Sequence, residues 1–529
     1  MTLSRRLLLA AAATLPMARL AHGETIHRIT ILHMNDFHSR HEPVDGRALT
    51  CRPGSRPDCF GGAARLATAL FAERALAEAA GRTVLLVDAG DQFQGSLFYT
   101  AWHGEVELAV MHALGIEAMA VGNHEFDNGP ATLASFVRGA RFPVLSANID
   151  ASAEPVLAGL LTPSVTITKD NLAIGLVGLT TRETAVTSSP GPRIVFADPA
   201  PALAREAASL RAKGARLVIA LSHLGAAEDQ AMAGHVPGVD VFVGGHSHTL
   251  LSDSEAGAAG PAHALSEGPA GRAVVVQAAC YGRYFGRLDL DVAEDGRVLA
   301  YGGDTRHVSL ELAEHPGVAA IVASYATKLD EVRRQVVGQA PAAIDITTCR
   351  IGECALGSFV SEAVLRSVSG AEIAITNGGG LRTGLPAGDI TLGDVLSVLP
   401  YGNSVASLKL RGDDLRAALE NGVSRASAGG FPQVAGLRLT WRPLAAAGSR
   451  LGSVQIRQPD GSFAPLDLQR IYSVATNNFM RTGGDGYAAL RDRAIAPYDA
   501  GPGIDEVVSA AINAASPFNP KTDGRIKAE

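Results

Sequence analysis

Three observations predict an α/β protein of two successive units. Apolar strand-like and helical runs alternate along the chain, polar residues of metal-ligand type collect at the ends of several of those runs, and a helical stretch divides a longer first part from a shorter second one. Between 24 and about 310, strand-like runs at 29–32, 83–87, 217–221 and 241–243 alternate with helical ones at 63–80, 105–114 and 199–212. That alternation is the pattern of a layered α/β domain. Its last strands are expected at 272–276 and 284–292, the second partly alternating in polarity. From 315 to 339, Val318, Ile321, Val322, Tyr325 and Leu329 recur at helical spacing, which predicts a connecting helix over 313–340. A smaller α/β unit follows from 341, with a helix at 355–368, a strand at 371–376 and a hairpin-like region at 434–457. There is no internal repeat and no low-complexity linker. A helical connector between two globular units permits a hinge, and substrate sites commonly sit at such interfaces.

Composition narrows the function classes. In 529 residues, 47% are hydrophobic and 19% charged, as in a soluble globular protein. A formal net charge of −7 lacks the basic footprint of a nucleic-acid-polymer binder, so any phosphate recognition must be local. Residues 1–23 read as a signal peptide: Arg5-Arg6, an apolar run at 7–15, then Ala21-His22-Gly23 as a small-x-small cleavage site. The apolar run is too short to span a bilayer. Because the segment 4–9 also resembles a twin-arginine signal, both that route and the ordinary secretory route stay open. The chain ends in a polar segment at 521–529, so the expectation is a periplasmic or secreted protein with no stable membrane anchor. Cysteine usage agrees, since Cys51 and Cys59, and Cys349 and Cys354, are spaced for short-range disulfides in an oxidising compartment. Cys280 follows an apolar run and reads as a buried free thiol. No cysteine pair has the spacing of a zinc-cysteine site.

The groups that carry chemistry are local clusters: Asp36-Phe37-His38, Asp88-Ala89-Gly90-Asp91, Gly122-Asn123-His124-Glu125, a single His223, and Gly244-Gly245-His246-Ser247-His248. Carboxylate, imidazole and amide oxygen are the ligand types that suit zinc or manganese. Delivery of such groups from strand ends into one crevice is what an open α/β sheet offers. Taken singly, each would read as a helix cap or a satisfied polar residue; five such segments between 36 and 248, each after an apolar run or a Gly turn, read together as a metal site. His27, His33, His41, His103 and His112 lack that context and are expected to be ordinary polar or core residues.

The run from His33 to Ser39, together with 88–95, 122–129 and 244–248, resembles the calcineurin-like metallophosphoesterase domain of the 5′-nucleotidase family. Further on, Thr376-Asn377-Gly378-Gly379-Gly380-Leu381-Arg382, Leu399-Pro400-Tyr401-Gly402 and the segment 478–486 resemble that family's nucleotide-binding domain. The resemblance implies an N-terminal α/β/β/α layered domain (24–312), the connecting helix (313–340) and a smaller C-terminal α/β substrate-binding domain (341–529). It implies two divalent metal ions, zinc ahead of manganese or cobalt. Asp36, His38 and His248 would hold one and Asn123, His223 and His246 the other, with Asp91 bridging. A bridging carboxylate suits two dications that share the charge of the attacking and leaving oxygens. His248 stands where the family often has Gln or Asn, and its nitrogen would bear on metal preference. His124 and Asp127 resemble the catalytic dyad. Arg350 and Arg382 would grip phosphate and ribose, Tyr401 and Phe479 would sandwich the base, Asn377 would touch the base edge and Asp485 the ribose hydroxyls. Without the resemblance, Tyr401 and Phe479 read as core residues and 377–380 as a turn.

The cysteine placement looks more like that of animal ecto-5′-nucleotidases than that of bacterial UDP-sugar hydrolases. The activity implied is release of phosphate from nucleoside 5′-monophosphates such as AMP, with the second domain rotating to deliver substrate. Hydrolysis of UDP-sugars, nucleoside diphosphates or cyclic nucleotides on the same fold is the alternative, a related sulfur-oxidation hydrolase a weaker one. A non-catalytic nucleotide-binding surface protein is the alternative of another class. No feature specifies an oligomer.

Overall fold

The computed structural model describes residues 25–44, 51, 59–427 and 429–529. The expected signal peptide lies outside the described residues. The first unit is built on two six-stranded sheets. One runs Val298–His307, Tyr284–Ala293, Ile26–Met34, Thr83–Asp88, Ala118–Ala120, Val144–Leu145; the other runs Ala264–Gly268, Gly271–Val276, Val241–Gly244, Leu217–His223, Leu172–Thr180, Ser164–Lys169. Central strands such as Thr83–Asp88 and Leu217–His223 are apolar runs almost wholly buried, as strands covered on both faces must be.

Ile29, Ile31, Leu85 and Val87 of the first sheet pack against Leu176, Ile219, Leu221 and Val243 of the second, so the sheets meet face to face. Helix Ala63–Ala79 and its neighbours Glu105–Leu114 and Gly129–Gly139 cover the outer face of the first sheet. Helices Pro199–Ala212 and Ala226–Ala233 cover that of the second. The result is the expected α/β/β/α order.

The region 313–340 is not one helix. Pro316–Ala326 and Leu329–Arg333 are separate helices, and Val336–Ala340 is a strand paired antiparallel with Gly388–Thr391. The helical spacing is real up to Leu329: Val318, Ile321 and Val322 join the helical core of the first unit, and Leu329 and Tyr325 pack with Phe98 and Trp102. Beyond Arg333 the β-branched pair Val336-Val337 meets an unpaired strand edge, and the ladder hydrogen bonds available there outweigh helix continuation.

The second unit centres on a five-stranded sheet ordered Pro432–Ala435, Ile373–Asn377, Ile471–Asn477, Val405–Arg411, Ile495–Tyr498. A four-stranded sheet packs beside it and contains the expected hairpin, Leu437–Trp441 with Leu451–Arg457. Disulfides join Cys51 to Cys59 and Cys349 to Cys354, and Cys280 is a buried free thiol. Among the described residues, no helix is long and apolar enough to cross a membrane.

Candidate active site

Each sequence-predicted metal ligand lies just beyond the carboxyl end of a strand, or at the end itself in the case of His223. The parallel register Ile29↔Thr83 to Met34↔Asp88 brings the first two strand ends level. Backbone hydrogen bonds then join the two loops, Asp36 N–H to Gly90 O at 2.9 Å and His38 N–H to Asp91 O at 3.0 Å. Asp36, His38, Asp91, His246 and His248 all adopt positive φ, between 50° and 72°. Non-glycine residues rarely occupy that region, and they persist there only where the surroundings over-determine them. Two glycines allow the close approach. A Cβ at Gly122 would stand 2.2 Å from Asp91 Oδ1, and one at Gly245 would stand 2.9 Å from His223 Nδ1.

The seven side chains expected to hold metal converge. His248 Nε2 lies 3.2 Å from Asp36 Oδ1 and 3.1 Å from His38 Nε2. His223 Nε2 lies 3.0 Å from Asp91 Oδ2, and His246 Nδ1 lies 2.9 Å from Asn123 Oδ1. Asp91 Oδ2 is also 3.8 Å from His38 Nε2, which places it between the two groups. His38 Nδ1 and His223 Nδ1 face the carbonyl oxygens of Phe93 and Ala89 at 3.1 and 2.7 Å. A carbonyl requires an N–H, so in the neutral rings Nε2 carries the lone pair that faces inward. Asp91 Oδ2 and His223 Nε2 are buried and, apart from their 3.0 Å approach to one another, meet no hydrogen-bond partner among the described residues. Buried polar atoms are almost always fully partnered, and convergent lone pairs with no partner outside their own cluster fit divalent cations. Burial raises the Asp36 and Asp91 carboxyls, but His248 beside Asp36 and His223 beside Asp91 outweigh it and hold both below the ordinary range.

The two dyad candidates sit on one short 3-10 turn, His124–Phe126, followed by Asp127. His124 Nδ1 pairs with Asp127 Oδ2 at 2.6 Å, and Nε2, buried and without a hydrogen bond, is left for another group. Burial opposes the charge on this ring, yet Asp127 and then Asp91 lift His124 to about 9. Cations bound next to Asp91 would act in the opposite direction.

Across from these groups, the second unit presents all six expected substrate residues. Arg350, Asn377, Arg382, Tyr401, Phe479 and Asp485 line a cavity of about 840 Å³ that His246 and His248 also line. Asn377 is held by its neighbours: Asn477 Nδ2 donates to its Oδ1 at 3.0 Å, and its own Nδ2 donates to Asp485 Oδ2 at 2.8 Å. The Arg382 guanidinium lies 5.8 Å from the centre of the Tyr401 ring. Phe479, rather than being a core residue, is 39% exposed.

Several participants escaped sequence reasoning. The buried Glu125 carboxylate accepts backbone N–H groups from Asp91, Gln92, Phe93 and Gly122 at 2.7–3.2 Å, and so shapes the Asp91 loop. Its place inside the 122–125 segment was a signal, but its partners were not. Asn35 Nδ2 donates to Asp36 Oδ2 at 2.6 Å. Ser188 Oγ donates to the second oxygen of Asp127 at 2.6 Å, and no local pattern marks it. Of the histidines set aside, His41 is buried against Glu107 at 3.1 Å and His33 is buried in the first sheet, and neither belongs to a candidate ligand group.

Residues 29–250 match the family model for calcineurin-like phosphoesterases, and residues 336–492 that for the 5′-nucleotidase C-terminal domain. The 5′-nucleotidase of Bos taurus is 35% identical over 94% of this chain and 90% of its own length. The crystal structure of a 5′-nucleotidase precursor from Thermus thermophilus is 37% identical, covering 95% of this chain and 99% of that one, with a TM-score of 0.59. The NAD nucleotidase of Haemophilus influenzae, 24% identical, covers 95% of this chain and all of its own with a TM-score of 0.83, a likeness of fold.

Proposed function

Because this chain belongs to the 5′-nucleotidase family, we propose that it is a divalent-metal-dependent phosphoesterase that hydrolyses nucleoside 5′-monophosphates to nucleoside and phosphate. The observation that supports this reading best is the shared cavity, in which inward-facing imidazoles of the first unit stand opposite the arginine and aromatic groups of the second. Its volume of about 840 Å³ falls within the range of small-molecule sites.

In this reading Asp36, His38 and His248 would hold one ion and Asn123, His223 and His246 the other, with Asp91 available to both. Zinc is the first choice, since imidazole nitrogens from His38, His223, His246 and His248 dominate the ligand set. Such ions supply positive charge to the phosphoryl oxygens and a nucleophile at neutral pH. The protein's own groups do the rest. Arg350 and Arg382 bind the anionic end of the substrate through planar forks of donors. Tyr401 and Phe479 take the base between ring faces, and Asp485, steadied by Asn377, accepts from ribose hydroxyls. His124 donates from Nε2 to a phosphoryl oxygen as charge builds there, while Asp127 holds the proton on Nδ1. We assign residues 24–312 to the metal-bearing domain and 341–529 to the nucleotide-binding domain, with 313–340 between them. The two disulfides support export to an oxidising compartment.

The test is phosphate release by the zinc- or manganese-loaded protein from AMP, ADP, UDP-glucose, 2′,3′-cyclic AMP and a thiosulfonate, with and without chelator. Preference for AMP, abolished by chelation, is the expected result. Preference for another of these substrates reassigns the pocket, and silence on all of them overturns the enzymatic reading.

A further inference from the structure

One side chain of the second unit reaches into the ligand set of the first. Tyr498 ends the strand Ile495–Tyr498, and its hydroxyl lies 3.0 Å from the buried Asn123 amide nitrogen. The ring also lies over His246, with centroids 6.1 Å apart and planes 30° apart. The geometry points to Tyr498 as a cross-domain positioning residue that sets the orientation of the Asn123 amide and thereby the hold on the ion assigned to Asn123, His223 and His246. The inference rests on the two-ion reading above.

The argument is one of proton counting. A phenol has a single proton, and Tyr498 donates it to the carbonyl oxygen of Ala500 at 2.9 Å. Toward Asn123 its oxygen can therefore only accept, so the amide must turn Nδ2 to the phenol. Oδ1 is then driven to the opposite side, where it stands 2.9 Å from His246 Nδ1 among the ligand atoms. Only the amide oxygen can bind a cation; the NH₂ group has no lone pair to offer. Among the described residues the phenol is the one hydrogen-bond partner of Nδ2; without it the amide loses the contact that separates its two orientations, and the reversed one withdraws a ligand.

The support is rigid, as positioning requires. Ser407 pairs with Tyr498 across the strands, Arg481 grips the Asp499 carboxylate, and Ser404 Oγ donates to Asp499 O at 2.6 Å. These residues all belong to the second unit. The strut therefore exists only while the two units hold this relative orientation, and it links that orientation to the metal centre.

The test is a chelator titration of zinc-loaded mature protein with metal counted by mass spectrometry, comparing the parent with Tyr498→Phe, which keeps the ring over His246. The expected result is that Tyr498→Phe releases one of two ions at roughly 10–100-fold lower chelator strength, the usual cost of losing a partner that orients a ligand. The second ion is released as in the parent, and the melting temperature of the metal-free protein is unchanged. Adding Asn123→Asp to Tyr498→Phe should restore the lost ion, because a carboxylate presents an oxygen in either orientation. Unchanged release of both ions overturns the inference, as does joint loss of both with a lowered melting temperature. A parent that never holds two ions refutes the underlying reading instead, before any variant is compared.

Discussion

His124, Asp127 and Ser188 form a chain of three side chains with one direction: Ser188 donates to Asp127 Oδ1, and Asp127 Oδ2 pairs with His124 Nδ1. The free end is His124 Nε2, which faces the space beside the ligand groups and not a protein partner. His124→Ala should therefore leave metal content near that of the parent while turnover falls by about 10²–10³, the scale of losing one preorganised donor to developing charge. Metal analysis beside kcat decides this, and an equal loss of metal refutes the assignment. Ser188→Ala should cost less. It removes one hydrogen bond to a carboxylate, about 1.5–3 kcal/mol, so a fall in kcat of about 10–100-fold is the ceiling. Of these three, His124 and Asp127 are legible in the sequence because they share one turn. Ser188 is not, since it reaches Asp127 from a separate loop.

At the scale of elements, the ligand loops are strained turns held open by neighbours. Glu125 receives two N–H groups on each oxygen, from Asp91 and Gly122 on one and from Gln92 and Phe93 on the other. Glu125→Gln must turn an NH₂ toward two donors, so we expect a loss of about 1–3 kcal/mol in stability, read as a lower melting temperature of the metal-free protein. An unchanged melting temperature would show that the loop is shaped by something else. In the second unit, Arg382 and Tyr401 stand on one wall of the cavity. Arg382→Ala should raise KM for AMP roughly 10-fold or more, the worth of a charged hydrogen bond, and spare a small aryl phosphate. Equal loss on both substrates would argue against a nucleotide-binding role for that wall.

For the whole molecule, the contact between the two units is also a titratable one. Thr100 Oγ1 of the first unit donates to Glu506 Oε1 of the second at 2.9 Å. Desolvation, and after it the neighbouring Asp505, push the Glu506 carboxyl from its ordinary 4.5 up to about 8. The folded chain thus keeps a proton that the unfolded chain gives up first. The contribution favours the folded state below about 4.5 and is lost as pH rises toward about 8. Melting temperatures across that window should fall with rising pH, and Glu506→Gln should flatten the slope. A slope that Glu506→Gln leaves unchanged would place its origin in other groups.

The sequence by itself determined the alternation of strands and helices and the position of every candidate ligand beyond a strand end, because apolar runs and the polar residues that follow them are local features that fold where they lie; the α/β/β/α layer order came only from the family resemblance. The sequence also carried the two disulfides, each closed over a few residues. It misjudged 313–340, where helical spacing continues toward residues that an exposed strand edge claims instead. Only the tertiary structure decided which ligand atoms face one another, that Phe479 lines a cavity and is not core, and that Ser188 and Tyr498 reach the site from distant segments. The reason is physical: periodicity records which face of an element is buried, whereas the partner of a polar atom is set by how separately folded layers and units dock, and no local pattern of residues encodes that.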